Sequence, residues 1–177
     1  MKIYKTNIKD LLIIKQKNNI DKRGSLRETF NKKLLNKKFV FEYCTTSKKN
    51  VLRGFHFQVK FQQAKYVSVL KGKILDVVID LRKKSRTFGK TFKIILSKEN
   101  STSLYIPRGF AHAYYSYDQE NIIYYKLDNF YKPKYESGII YNDNKLKVKW
   151  PNRKKIISLK DKNLESFKGF TLRYKFL

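Results

Sequence analysis

The chain holds two histidines, His56 and His112, among 177 residues, and imidazole is the side chain whose ordinary titration falls near neutral pH. His56 lies in Val51-Leu52-Arg53-Gly54-Phe55-His56-Phe57-Gln58, a strand-like run with an arginine three residues ahead of the ring. A base there reaches a cavity if the sheet curls around one, and the competing reading is a histidine hydrogen-bonded in the core. His112 lies in Pro107-Arg108-Gly109-Phe110-Ala111-His112-Ala113, where Pro and Gly frame a tight entry to a strand. Lys65 opens an alternating strand on the face of Val67 and Val69, an odd place for a lysine unless it snorkels outward or meets a carboxylate. Asp76 sits similarly between Ile74 and Val78, so a buried Lys65–Asp76 pair and an exposed face both stay open. Tyr125 shares a face with Ile123 and Leu127 and needs a partner for its hydroxyl if buried. Asp161, in Ser158-Leu159-Lys160-Asp161, reads on its own as a helix-start carboxylate.

Several chemistries lack their residues. No Gly-rich phosphate loop is present, so a nucleotide has to be held by side chains. The histidines are far apart and Cys44 is the single cysteine, which argues against a zinc or iron site and rules out an intrachain disulfide. Beside Tyr43 in a strand, Cys44 reads as a small packed apolar residue rather than a nucleophile. A metal site is not expected from these residues.

The elements that must position these groups are mostly strands. Tyr and Phe, 13 each, run along the whole chain with many β-branched residues, a bias toward pleated, half-buried surface. Lys65 to Leu70 leads through Lys71-Gly72-Lys73 into Ile74 to Leu81, a run that reads as a β-hairpin. Further strands are expected at Phe92 to Leu96, Ser103 to Ile106, Ala111 to Tyr117, Ile122 to Leu127 and Gly138 to Tyr141. Short helices are expected within Glu28 to Lys37 and Ser158 to Phe167. Many short strands at this spacing predict an all-β sandwich or barrel. With no linker, repeat or low-complexity block, residues 1–177 read as one domain.

The formal net charge of +27 invites a nucleic-acid reading, but lysine greatly outnumbers arginine and is scattered through turns and strand exteriors. No nucleic-acid partner is expected, whereas an anionic small molecule gains from the same field. The start, Met1-Lys2-Ile3-Tyr4-Lys5, lacks the apolar core of a signal peptide, and no run approaches the roughly 18 apolar residues of a membrane span. A cytoplasmic protein without a membrane partner is therefore expected.

In order, the segments Asp21-Lys22-Arg23-Gly24, Val51 to Gln58, Ala64-Lys65, Gly72 to Arg82, Ser85 to Gly89, Ile106 to His112, Tyr124-Tyr125-Lys126, Glu136-Ser137-Gly138, Asn142-Asp143, Trp150-Pro151 and Ser158 to Asp161 closely resemble the dTDP-4-dehydrorhamnose 3,5-epimerase family. The match covers nearly the whole chain. It implies a cupin-type jelly roll, a homodimer in which the N-terminal strand region of one subunit completes the other's site, and chemistry without cofactor or metal. The implied substrate is a nucleotide sugar with a ketone at carbon 4, epimerised at carbons 3 and 5 through an enolate on the way to a surface polysaccharide.

The resemblance also implies roles. His56 is the base and Asp161 its dyad partner; Lys65 stabilises the enolate oxygen, and Tyr125 delivers a proton to the opposite face. Arg23 and Glu28 from the neighbouring subunit, with Arg53, His112, Glu136 and Lys160 from the same one, bind the nucleotide diphosphate, and Tyr131 stacks on the base. The chain departs from the family pattern where Phe41 and Tyr43 replace a Gln and an Asn, with Ala113 and Tyr141 as smaller changes. Those two aromatics leave room for an epimerase of a single carbon or of a different nucleotide-linked 4-keto sugar. A non-catalytic jelly roll binding a sugar nucleotide or nucleic acid is the alternative from another class.

Arg53 and His56, three apart, face opposite sides of a regular strand. Both can serve one cavity only if a bulge intervenes near Gly54, and such an irregularity is expected.

Overall fold

The structure is a computed structural model and describes residues 1–174. In chain order, the first strands are β1 (Lys2–Lys5), β2 (Leu12–Lys15), β3 (Asn18–Asp21) and β4 (Gly24–Arg27), followed by helix α1 (Lys32–Leu35). Next come β5 (Phe41–Lys48), β6 (Leu52–Gln58), β7 (Lys65–Lys71), β8 (Lys73–Asp80) and β9 (Thr91–Ser97). Strands β10 (Thr102–Ile106), β11 (Phe110–Ser116), β12 (Glu120–Leu127) and β13 (Glu136–Gly138) precede α2 (Leu159–Lys162) and α3 (Phe167–Arg173).

Two antiparallel sheets pack face to face in the order β1-β2-β10-β7-β12-β5 and β13-β6-β11-β8-β9, while β3 and β4 form a separate ribbon. This is the expected all-β, cupin-type jelly roll. Strand alternation sorts side chains into three apolar layers. Val67, Val69, Leu104, Ile123 and Leu127 of the first sheet meet Ile74, Val78 and Leu96 of the second between the sheets. The outer face of the five-stranded sheet, with Leu52, Phe55, Val77 and Tyr115, is covered by Leu146, Phe170 and Trp150 from the C-terminal segment. Leu35 of α1, with Phe30 and Phe39, covers Tyr66 and Tyr105 on the outer face of the other sheet.

Three expectations need correction, and the two expected short helices are in place. Strands β7 and β8 are not a hairpin: β7 pairs with β10 and β12, and β8 with β9 and β11, so the chain crosses between sheets at Gly72. Gly72 makes that crossing with φ +79°, and a Cβ there would lie 2.5 Å from the Asn121 side-chain oxygen that accepts the Lys73 N–H. Alternation marks which face of a strand is buried but not which strand lies beside it, so the run reads the same either way. The short helix expected within Glu28 to Lys37 is present as one turn, Lys32–Leu35, capped by Asn31 and ended by Asn36 in the left-handed region. The one expected within Ser158 to Phe167 is present too, as the single turn Leu159–Lys162, and a further helix, not expected from the sequence, starts behind the cap Ser166. The last strand is Glu136–Gly138 rather than Gly138 to Tyr141. Cys44 is exposed on edge strand β5 instead of packed.

Candidate active site

The expected irregularity lies where Arg53 and His56 require it. Along the β6–β11 pair, His56 faces His112 while Arg53 faces Tyr114, so three residues of β6 span two of β11. Leu52 and Phe55 consequently share the outer apolar layer, although they are three apart. Gly54 carries the distortion at φ +112°, with no room for a side chain: a Cβ would fall 2.5 Å from the His112 carbonyl oxygen. Its own N–H donates to Asp161 Oδ2 at 3.1 Å.

Asp161 thus ties two features together. Its Oδ1 lies 2.8 Å from His56 Nε2, and since a carboxylate only accepts, Nε2 carries the proton and Nδ1 is the ring's basic atom. Burial pushes the Asp161 carboxyl up, but the His56, Gly54 and Ser158 hydrogen bonds outweigh it and hold the group below its ordinary range. The carboxylate is reached because Ser158 caps α2 and accepts the Asp161 N–H, fixing the one-turn helix beneath β6. The His56 side chain keeps 30% of its surface exposed while Asp161 keeps 4%, so the imidazole opens to solvent and its partner does not.

His112, opposite His56 on the neighbouring strand, points to the same face. Its Nε2 meets Asp76 Oδ2 at 2.7 Å, and both side chains are buried. Asp76 therefore pairs with His112 rather than with Lys65, and no Lys65–Asp76 ion pair forms among the described residues. Lys65 approaches from the opposite sheet. Burial lowers its pKa to about 8, against the pull of Asp76 and Glu136.

Tyr125, also on the opposite sheet, is buried at 3% exposure. Its ring stands edge-on to His112 with centroids 6.0 Å apart, and burial, followed by neighbouring Tyr114 and Tyr43, raises its pKa well above 10. The phenol therefore stays an O–H donor throughout the neutral range.

A polar rim surrounds these groups. Glu136, two residues before the Gly138 that pairs with His56, accepts hydrogen bonds from Lys160 and from the Tyr131 hydroxyl. Burial pushes the Glu136 carboxyl up, and these partners with the nearby His56 more than offset it. Its hydrogen bond and burial push the exposed Tyr131 phenol up to about 12. Arg53 donates to Ser47 Oγ at 3.2 Å and to the Thr46 carbonyl, and has no carboxylate partner among the described residues. Ser47 in turn bonds the Tyr114 hydroxyl at 2.8 Å.

The structure therefore brings together His56, Asp161, Lys65, His112, Tyr125, Glu136, Tyr131 and Lys160, with Arg53 at the Ser47–Tyr114 edge. It does not bring Arg23 or Glu28 to the same group within one chain: Arg23 pairs with Asp21 in the β3–β4 turn, and Glu28 bonds Asn31. Tyr114 escaped sequence reasoning, although its place two residues after His112 puts it on the same face of the strand. Of the two aromatics read from sequence as a change in substrate recognition, Tyr43 stacks on Tyr125 and Phe41 packs behind Tyr43.

Comparison with known proteins agrees with this arrangement. A family model described as dTDP-4-dehydrorhamnose 3,5-epimerase matches residues 5–169. A dTDP-4-dehydrorhamnose 3,5-epimerase from Shigella flexneri is 38% identical over 94% of this chain and 96% of its own. The crystal structure of dTDP-4-dehydrorhamnose 3,5-epimerase from Elizabethkingia anophelis NUHP1 superposes with a TM-score of 0.88 at 39% identity, covering 96% of this chain and 97% of that one. A dTDP-6-deoxy-D-glucose-3,5-epimerase from Legionella pneumophila, in complex with dTDP-4-keto-L-rhamnose, gives 0.90 at 37% identity, covering 94% and 93%. On sequence, fold and extent together, the chain belongs to the dTDP-4-dehydrorhamnose 3,5-epimerase family.

Proposed function

We propose that this isomerase epimerises a dTDP-4-keto-6-deoxyhexose at carbons 3 and 5, by proton removal and return through an enolate. The observation that carries the reading is the placement of base and acid on opposite sheets. His56 belongs to the five-stranded sheet, with Asp161 behind it on α2, and Tyr125 to the six-stranded one, so a sugar ring between them meets a base on one face and an acid on the other. Inversion requires that arrangement, because a proton returned to the face it left restores the starting centre.

His56 Nδ1 takes the proton from carbon 3 or 5, and the ionised Asp161 stabilises the imidazolium that forms. The electron pair moves onto the carbon-4 oxygen, where the Lys65 ammonium stabilises the enolate more than the ketone. The Tyr125 O–H returns a proton from the opposite side. Arg53 and Lys160 meet the diphosphate, His112 and Glu136 line the rest of the substrate pocket, and Tyr131 stacks on the base. The chain acts as a single domain in a cytoplasmic homodimer, in which Arg23 and Glu28 from the β3–β4 ribbon complete the partner's site. The exposed Ile20 and Leu26 of that ribbon support this assembly.

The test is incubation with dTDP-4-keto-6-deoxyglucose, followed by NMR assignment of the product. Inversion at both carbons is expected. Inversion at carbon 3 or carbon 5 alone makes the protein a mono-epimerase, and no change with this or other nucleotide-linked 4-keto sugars overturns the reading.

A further inference from the structure

Tyr125 is a proton donor with little to hold its hydroxyl. Its one side-chain hydrogen-bonding neighbour is Thr45, whose hydroxyl also bonds Tyr114, and no carboxylate or cation bonds it among the described residues. Its ring is fixed by other rings instead. Tyr43, its direct partner across the β5–β12 ladder, stacks on it with centroids 4.8 Å apart and planes 21° from parallel. Tyr43 is in turn backed by Phe41 at 5.7 Å, and Phe41 by Phe130 at 6.3 Å. The result is an aromatic row that enters from the edge strand and ends on the acid. Burial, then neighbouring Tyr114, Glu136 and Tyr131, pushes Tyr43 up to about 12, so its ring sits neutral beside the same groups that surround His56.

Resting on the epimerase reading, we propose that Tyr43 is a positioning residue for Tyr125: its ring face holds the phenol in the plane from which it protonates the carbanion. The ring and not the hydroxyl does this. Once abstraction by His56 has occurred, a displaced Tyr125 leaves the carbanion to be reprotonated from the base side. Solvent deuterium then enters the sugar without inversion. A merely structural role for Tyr43 lowers exchange and inversion together, whereas a positioning role separates them.

The experiment measures both rates on one 4-keto substrate in heavy water, for the wild-type protein, Tyr43→Leu and Tyr43→Phe. The ratio of inversion to exchange is expected to fall roughly tenfold or more in Tyr43→Leu, as for a displaced acid group, and to stay at the wild-type value in Tyr43→Phe. Exchange that persists in Tyr43→Leu also shows that the variant folds. A proportional fall of both rates in Tyr43→Leu, or a ratio in Tyr43→Phe as low as in Tyr43→Leu, overturns the role of Tyr43 and leaves the epimerase reading intact. Wild-type protein that neither exchanges nor inverts any 4-keto substrate removes that reading and the role of Tyr43 with it.

Discussion

Lys65 and Asp161 show how one fold sets two charges to opposite purposes. Lys65 is destabilised as an ammonium, because burial lowers its pKa from 10.5 to about 8. Its folded pKa lies below the unfolded one, so the cost to stability is complete below pH 8 and fades as pH rises toward 10.5. Replacement by Met is therefore expected to stabilise the protein by about 1 to 3 kcal/mol at pH 7 in urea unfolding, with the gain shrinking above pH 8. Epimerisation should be lost in the same variant, since the enolate loses its cation. In the wild-type protein, activity is expected to decline above about pH 8 as Lys65 loses its proton, and a pH–rate profile without that limb in wild type argues against its role. Asp161 has the reverse sign: its pKa is lowered from 3.8, so its contribution is present above that value and is lost as pH falls through the folded pKa. Asp161→Asn should cost stability at pH 7 and progressively less in acid, while lowering kcat through loss of the imidazolium's partner.

At the scale of elements, the bulge in β6 decides whether a site exists. Gly54→Ala places a methyl group 2.5 Å from the His112 carbonyl and 2.6 Å from Ala113 Cα, at a backbone angle that disfavours side chains. A loss of about 2 to 4 kcal/mol in urea unfolding is expected, together with a fall in activity from displacement of His56. The need for this bulge was legible in the spacing of Arg53 and His56, because strand alternation is strict. The partner of β7 was not legible, since Gly72 serves a crossing between sheets as well as a hairpin turn. The His56–Asp161 contact joins residues 105 apart in sequence, and local pattern alone leaves Asp161 a helix-start carboxylate. Only the family resemblance joined the two in advance. The two expected short helices are in place, whereas the third, Phe167–Arg173, was not legible, because each helix depends on a cap, Asn31, Ser158 or Ser166, more than on periodicity.

At the scale of the whole molecule, the β3–β4 ribbon carries Arg23 away from the His56 group of its own chain. Ile20 is 77% and Leu26 69% exposed, apolar surface that a second copy would cover. If Arg23 serves the partner's site, a mixture of Arg23→Ala and His56→Ala proteins recovers activity that neither has alone, because one site in each mixed dimer is intact. Failure to recover activity in mixed dimers, confirmed by sedimentation, places Arg23 in its own chain's site or in none. The charge of +27 belongs to this scale too: it favours approach of a nucleoside diphosphate, and KM for the nucleotide sugar should rise with ionic strength.

The central claim is that His56 removes protons from carbons next to a ketone. Mass spectrometry of dTDP-4-keto-6-deoxyglucose incubated in heavy water tests it most directly. The account predicts deuterium at carbons 3 and 5 with the wild-type protein, and exchange slower by about a hundredfold or more in His56→Ala. A folded His56→Ala protein that exchanges as fast as wild type, or a wild-type protein that introduces no deuterium, contradicts it.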